Sequence, residues 1–302
     1  NMNPGIAELC EEIIIDNINN PITVSNYAKE IKASLTIIGP ENPLENGVAD
    51  ILWENNIPVF GPKKNLAKIE TSKSFARELQ KNYNIPGGPK YKFFNALIGV
   101  KSFLKELGEN YVVKHDGLAG GKGVKVSGDH LKSHNEAINF CKDLINKNVS
   151  FIIEEKFIGE EFSLMSFSDG KNLKHMPAIQ DHKRAYEGDL GPNTGGMGAY
   201  SNIDHSLPFL KPDEIRQAHD INNATIKALN NHYQDEYKGV LYGGFMATSN
   251  GVKLIEYNAR FGDPEAINVL SILKTDFIDL CKNIINGTLN KINVDFEKKA
   301  TV

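Results

Sequence analysis

A chain of 302 residues with 40% hydrophobic content and a formal net charge of −4 reads as a globular protein of roughly two domains with room for a sizeable core. That balance carries no nucleic-acid or membrane footprint. No apolar run approaches the roughly 18 residues that span a bilayer, and no basic segment followed by an apolar stretch opens the chain. Cys10, Cys141 and Cys281 are odd in number and far apart, which argues for a reducing cytoplasmic setting and against a disulfide framework or a zinc site.

Helix-like and strand-like segments alternate, as in an α/β protein. Residues 35–39 (LTIIG) and 57–61 (IPVFG) predict short buried strands ending in Gly-Pro turns, with a helix over 48–56 between them. That is a strand–helix–strand unit of a parallel sheet, and ligands of such sheets sit at the carboxyl ends of the strands, where Gly39-Pro40-Glu41 falls. A helix follows from about Thr71 to Asn82, with Thr71 or Ser72 able to cap it. The run at 85–89 (IPGGP) breaks the chain. Amphipathic patterns over 95–107 and 134–147 predict helices, and a longer one covers 213–231 behind Pro212.

Four clusters carry chemistry. Residues 112–124 read VVKHDGLAGGKGV: valines favour strand, and glycines let the backbone turn sharply and approach a ligand. Successive N–H groups in such a turn form an anion-binding concavity, to which Lys114 and Lys122 add charge. This predicts a hairpin folding over a polyphosphate; it is neither a P-loop nor the dinucleotide fingerprint, and a flexible hairpin with solubilising lysines would have the same composition. Residues 151–163, FIIEEKFIGEEFS, are an apolar strand that can offer its backbone to a flat heterocycle, with a carboxylate six residues on able to accept both hydroxyls of a ribose; a solvated acidic turn reads the same way. In 253–262, KLIEYNARFG, strand alternation puts Glu256, Asn258 and Arg260 on one face and Ile255, Tyr257 and Ala259 on the other. Carboxylate and amide oxygens suit Mg2+, and Arg260 suits a phosphate or carboxylate; an amphipathic strand's solvent face is the plainer alternative. Residues 180–201, QDHKRAYEGDLGPNTGGMGAYS, hold five glycines and no sustained period, which predicts a long functional loop. His182, alone between charges, reads as a solvated residue rather than a catalytic one.

The order of these clusters resembles the ATP-grasp superfamily and, within it, the glycinamide ribonucleotide synthetases. The resemblance runs nearly end to end, through NPGIA at 3–7, IIGPENPL at 37–44, VFGPKK at 59–64, ETSKSFARE at 70–78, the glycine hairpin, IIEEKFIGEEFSLM at 152–165, the DHKR loop and LIEYNARFGDPE at 254–265. The DHKR loop is the part specific to this ligase. The resemblance implies an ATP-grasp fold with a preceding Rossmann-like domain: 1–63 for the latter, lacking the family's first strand and glycine loop, 64–292 for the ATP-grasp domain with a mobile lid at about 110–156, and 293–302 as the start of a further C-terminal domain.

It also implies the chemistry. Such enzymes activate the carboxylate of glycine with ATP and couple it to 5-phosphoribosylamine in purine biosynthesis; the alternatives are another ATP-grasp ligase or carboxylase, or a non-catalytic nucleotide-binding remnant. Lys114 and Arg260 would be catalytic. ATP would be bound by Lys73, Lys114, Gly117, Gly120, Gly121, Lys122, Gly123, by the strand residues Glu154, Glu155, Lys156 and Phe157, and by Glu161 at the ribose. Glu41, Asp181, Lys183, Arg184, Asn193, Thr194, Arg260, Gly262 and Asp263 would line the substrate end, and Glu256 and Asn258 would hold Mg2+ or Mn2+. The partners implied are these small molecules, with no nucleic acid and no membrane, and a monomer or weak homodimer. The sequence departs from the family at His115, where a small residue is usual, at Lys156, where an aromatic is usual, and at Ile6, where Asn is usual. Residues 239–248 hold no metal carboxylate, which fits this ligase.

Overall fold

The computed structural model of the chain describes residues 3–120, 123–188 and 190–302, and at 192 and 193 the backbone alone. Two short helices come first, α1 (Pro4–Ala7) and α2 (Pro21–Glu30), each beginning at a proline behind an asparagine cap. The asparagine oxygen takes up orphan N–H groups, and proline has none to leave unpaired. The two apolar runs form β1 (Thr36–Ile37) and β2 (Val59–Phe60), parallel, with Thr36 opposite Val59. Between them lie α3 (Glu41–Glu45) and α4 (Val48–Glu54). The strand–helix–strand unit read from the sequence is present, with a shorter ladder than its five-residue runs, because the prolines at 40, 58 and 62 lack donors.

The helix expected over about 71–82 is present and capped by Ser72, and a further helix that was not expected runs up to it. Thr71 ends α5 (Lys64–Thr71); Ser72 is extended at φ −136°, and its hydroxyl accepts from Phe75 N at 3.2 Å to cap α6 (Lys73–Asn82). Next come β3 (Tyr91–Phe94), α7 (Val100–Leu107), β4 (Tyr111–His115), β5 (Val124–Val126), α8 (His134–Asn146) and β6 (Phe151–Glu155). Helix α7 starts later than the pattern suggests because Gly99 precedes it at φ 85°. The strands make an antiparallel sheet in the order β3-β6-β4-β5. Phe103 and Leu104 of α7 and Ala137 and Cys141 of α8 cover it, packing with Val113 and Ile153. The glycine hairpin is the β4–β5 connection, with Lys114 opposite Val124.

The rest of the chain adds β7 (Glu160–Asp169), β8 (Leu173–His175), β9 (Gln180–Tyr186), β10 (Leu190–Tyr200), α9 (Pro212–Tyr233), β11 (Lys238–Thr248), β12 (Gly251–Asn258), α10 (Glu265–Leu270) and α11 (Phe277–Ile285). Residues 180–201 are therefore not the loop that was expected: β9 and β10 pair as an antiparallel hairpin, with register shifts between Leu190 and Asn193 and between Asn193 and Gly198. Glycines and bulges erase the alternation by which a strand is recognised. A second antiparallel sheet runs β12-β11-β7-β8. Ile221, Ile226 and Leu229 of α9 pack with Phe162, Phe245 and Leu254 of this sheet. Leu280 and Ile284 of α11 pack with Phe167 and Val240 in a separate cluster. Among the described residues no helix is long and apolar enough to cross a membrane.

One irregularity matters for the site. In the β11–β12 ladder Gly244 faces Glu256 and Phe245 faces Leu254, so Ile255 is a bulged residue without a partner. The expected face of Ile255, Tyr257 and Ala259 is corrected accordingly: the buried residues are Val252, Leu254, Tyr257 and Ala259. Glu256 and Asn258 keep the shared face assigned to them, and the bulge turns the Ile255 carbonyl out of the ladder.

Candidate active site

Where the four-stranded sheets meet, charges from three elements converge on a carbonyl from a fourth. Arg77 of α6 donates from Nε to Glu154 Oε1 at 2.6 Å and from Nη2 to Glu154 Oε2 at 3.1 Å. Lys114 of β4 pairs with the same Glu154 Oε2 at 2.8 Å. Both cations also donate to the bulged Ile255 carbonyl, Arg77 at 2.6 Å and Lys114 at 3.0 Å. The three charged side chains are 3–6% exposed. Burial alone would raise the Glu154 carboxyl, but Arg77 and Lys114 overcome it and lower it to about 2. The cluster carries one positive charge in excess, which suits an arriving polyanion.

Lys73 opens α6 beside this cluster. Burial lowers its pKa, Glu256 opposes that and Lys114 adds to it. Its ammonium donates to the Gly117 carbonyl at 3.1 Å. The root of the glycine hairpin is fixed to the same helix end: Asp116 Oδ1 accepts from Ser74 N at 3.0 Å and from Ser72 Oγ at 3.2 Å, and Asp116 Oδ2 accepts from Ser74 Oγ at 2.5 Å. Gly117 has φ 152° and Gly120 φ 52°, and a Cβ on Gly123 would lie 2.6 Å from Ala119 Cβ, so the tight turn needs its glycines. Gly121 and Lys122 lie outside the described residues.

The strand expected to read a heterocycle ends at Glu155. The backbone N–H groups of Glu155 and Lys156 already donate to Lys90 O at 2.9 Å and Asn110 O at 3.1 Å. The Lys156 side chain donates to Ser127 O at 2.9 Å, and Glu154 is committed to its cations. Glu161, on β7, pairs with Lys183 of β9 at 2.6 Å. Burial opposes protonation of Lys183, but Glu161, Glu256 and Asp181 raise its pKa.

A second polar group surrounds Arg260. Its Nε donates to Glu41 Oε2 of α3 at 2.9 Å, and Nη2 lies 3.3 Å from Glu70 Oε1 of α5. Glu70 Oε2 accepts from Ala259 N at 2.7 Å. Burial raises the Glu70 carboxyl to about 7 despite Arg260 and that N–H. Burial and then Glu265 push Asp181 up to about 6, and its Oδ1 is buried with no partner among the described residues. Glu256 joins the two ends: it acts electrostatically on Lys73, on Lys183 and on Glu70.

The structure thus gathers Lys73, Lys114, Glu154, Glu161, Lys183, Glu256, Arg260, Glu41 and Asp181. Gly262 is confined, since a Cβ there would lie 2.6 Å from Glu265 Oε2. Arg184 is turned elsewhere, donating to Asp129 Oδ2 at 2.6 Å beyond β5. Thr194 serves its own hairpin, donating to Lys183 O at 3.0 Å, and Asp263 is exposed. The Asn193 side chain lies outside the description. His182 is exposed and stacks on Tyr200 at 5.9 Å. Sequence reasoning gave no role to Arg77, Glu70 or Asp116; the available signal was a charged residue on an otherwise apolar helix face, as with Arg77 between Ala76 and Leu79.

Among the described residues no cluster of three or more acidic, His or Cys groups could hold a metal. Glu256 and Asn258 offer one carboxylate and one amide oxygen on a half-buried face, and Glu256 makes no ion pair among the described residues. Such a pair fits a hard cation that keeps waters and phosphate oxygens as its other ligands.

Two antiparallel sheets with a glycine hairpin on one, a carboxylate–amide strand on the other and lysines between them define an ATP-grasp enzyme. Sequence models of the phosphoribosylglycinamide synthetase N domain and ATP-grasp (A) domain match residues 1–70 and 71–266. The chain belongs to the phosphoribosylglycinamide synthetase family and is an ATP-dependent carbon–nitrogen ligase. The phosphoribosylamine–glycine ligase of Methanosarcina barkeri is 50% identical over 300 residues, covering 99% of this chain and 69% of that protein. The crystal structure of the Thermotoga maritima phosphoribosylamine–glycine ligase is 29% identical with a TM-score of 0.72, covering 86% of this chain and 63% of that one. The biotin carboxylase domain of a Hydrogenobacter thermophilus 2-oxoglutarate carboxylase, solved with MgADP and bicarbonate, has a TM-score of 0.72 over 93% of this chain and 61% of its own. At 17% identity that likeness is one of fold.

Proposed function

We propose that this site joins glycine to 5-phosphoribosylamine at the expense of ATP, giving glycinamide ribonucleotide, ADP and phosphate for purine biosynthesis. A carboxylate oxygen of glycine attacks the γ-phosphorus and ADP leaves. The ribosylamine nitrogen then attacks the carbonyl carbon of glycyl phosphate, loses a proton and expels phosphate. No protein nucleophile takes part. Catalysis is positioning and neutralisation of charge on the transferring phosphoryl group.

In this reading Lys73 and Lys114 contact the ATP phosphates and the hairpin of Gly117, Gly120, Gly121, Lys122 and Gly123 folds over them. Residues 154–157 flank the adenine. With two of the strand-end N–H groups already bonded, the N–H of Phe157, which has no backbone acceptor among the described residues, is what remains to read it. Glu161 accepts the ribose hydroxyls after releasing Lys183. Arg260, held by Glu41 and Glu70, receives the glycine carboxylate, with Asp181, Lys183, Asn193, Gly262 and Asp263 around the ribosylamine, and Arg184 and Thr194 join them once released from Asp129 and the Lys183 carbonyl. Glu256 and Asn258 would hold Mg2+ or Mn2+, which supplies charge neutralisation on phosphate oxygens when bound. The same reading takes 1–63 as the Rossmann-like part, 64–292 as the ATP-grasp domain with 110–156 as its lid, and 293–302 as the start of a further domain. It sets the protein in the cytoplasm as a monomer or weak dimer.

The observation that carries it is the position of Glu256, within electrostatic reach of Lys73 at one end and of Lys183 and the Arg260-bound Glu70 at the other. In this reading a metal-type carboxylate lies between the phosphoryl donor and the acceptor carboxylate, which supports the assignment. ADP release is expected when glycine and phosphoribosylamine are both supplied. ADP formation with bicarbonate or D-alanine, and none with glycine, would overturn the assignment. Glu256→Gln should raise the Mg2+ concentration needed for ATP turnover without shifting the melting temperature of the ligand-free protein.

A further inference from the structure

We infer that Arg77 is a positioning residue for the phosphate-binding ammonium of Lys114, an inference that rests on the role given to Lys114 above. Arg77 is 3% exposed, and all three of its guanidinium nitrogens are engaged: Nε and Nη2 by Glu154, Nη2 also by Ile255 O, and Nη1 by Gln80 Oε1 at 2.8 Å. With four of its five N–H groups engaged, the guanidinium has no free pair of donors to offer a nucleotide. What it does instead is share both of its principal acceptors with Lys114, whose Nζ bonds Glu154 Oε2 and Ile255 O.

The sharing fixes geometry. A bidentate fork holds a carboxylate in one plane, so Arg77 sets the direction from which Glu154 Oε2 meets Lys114. The β12 bulge aims the Ile255 carbonyl at the same point, and Arg77 anchors that carbonyl too. Two of the three ammonium N–H directions of Lys114 are thereby assigned by acceptors that Arg77 holds, and the third is left for a phosphate oxygen. Lysine has a flexible stem and no fork of its own, so without this arrangement its ammonium would sample several orientations. Gln80 completes the brace from the next turn of α6: its Oε1 orients the guanidinium while its Nε2 is buried with no partner among the described residues.

The test measures binding of ATP and of adenosine, which lacks phosphates, to the unmodified chain and to Arg77→Lys, Lys114→Met and the double variant, with melting temperatures alongside. Arg77→Lys keeps the charge and loses the fork. We expect it to weaken ATP about tenfold, the scale of coupling within one hydrogen-bonded network, to leave adenosine within twofold, and to add nothing in the Lys114→Met background. Equal losses for ATP and adenosine, an unchanged ATP affinity, or an additive double variant would each overturn the positioning role and leave Arg77 a structural brace. Failure of the underlying reading shows separately, as a Lys114→Met protein that binds ATP normally. Should Arg77→Lys fail to fold, Gln80→Met unseats the guanidinium while keeping every charge. A selective loss of ATP affinity there supports the inference, and no loss overturns it.

Discussion

Glu154 and Glu70 are both buried carboxylates paired with an arginine, yet their charge states part in opposite directions. Glu154 is lowered to about 2 and Glu70 raised to about 7. The burial is nearly the same, with side chains 3% and 5% exposed. The company differs. Glu154 receives a fork from Arg77 at 2.6 Å and an ammonium at 2.8 Å, two cations for one acid. Glu70 meets Arg260 at 3.3 Å, and Arg260 is claimed at 2.9 Å by a second acid, Glu41, with Glu256 adding repulsion. Local charge balance, rather than depth, decides whether a buried acid is ionised. One end of the site therefore holds surplus positive charge, and the other holds surplus acid around one arginine.

The comparison breaks most forcefully at Glu154. Glu154→Gln leaves Arg77 and Lys114 uncompensated inside the protein, and loss of one partner of a buried pair costs about 3–5 kcal/mol, to be read from urea unfolding. Because the folded pKa lies below the ordinary 4.5, the stability Glu154 contributes is present above pH 4.5 and lost as pH falls toward about 2. Lys114→Ala removes a cation instead, and Glu154 keeps its fork to Arg77. The fold should survive, while turnover falls about a hundredfold or more, as when one contact to a developing charge is lost, about 2.7–4 kcal/mol. A variant with near-normal turnover would make Lys114 a structural residue.

Glu70 should respond with the opposite sign. Its folded pKa of about 7 lies above the ordinary 4.5, so its favourable contribution is complete below pH 4.5 and disappears as pH rises through 7. Glu70→Gln should thus flatten the decline in unfolding free energy between pH 4.5 and 7 and change stability at pH 7 by only about 1 kcal/mol. A steep loss already at about pH 5.5, well below the folded pKa, would show that Glu70 is ionised in the fold. The smallest effect belongs to Lys183→Met: its pair with Glu161 is 34% and 42% exposed, and such pairs contribute about 0–1 kcal/mol. Its stability should hardly move, and a change in substrate KM is the measurement that separates it from an ornamental surface pair.

Which parts were legible in the sequence follows from the same physics. The glycine hairpin and the Glu256–Asn258 strand announce themselves locally, because tight turns and period-2 faces are written in neighbouring residues. The β9–β10 hairpin did not, since its bulges and glycines remove the period that marks a strand. Arg77 and Glu70 were invisible for a different reason. Arg77 finds its carboxylate 77 positions away, and Glu70 finds its N–H donor 189 positions away; on a helix each is one more charged residue. Ser72 was legible as a cap, but α5 before it was not, because its eight residues directly abut the next helix and no glycine or proline separates the two.

Asp116 belongs to the glycine hairpin, but by its bonds to Ser72 and Ser74 it completes a helix that starts 43 residues earlier at Lys73. A helix start stripped of its cap loses about 0.5–2 kcal/mol, and the negative charge of Asp116 also meets the positive end of the α6 dipole. Any excursion that lifts the hairpin from α6 therefore loosens the turn that carries Lys73, and any loosening of that turn releases the hairpin. The hairpin and the first turn of α6 behave as one hinged piece, so fraying of that turn, followed by amide exchange at Ser74 and Phe75, becomes a gauge of how often the hairpin opens.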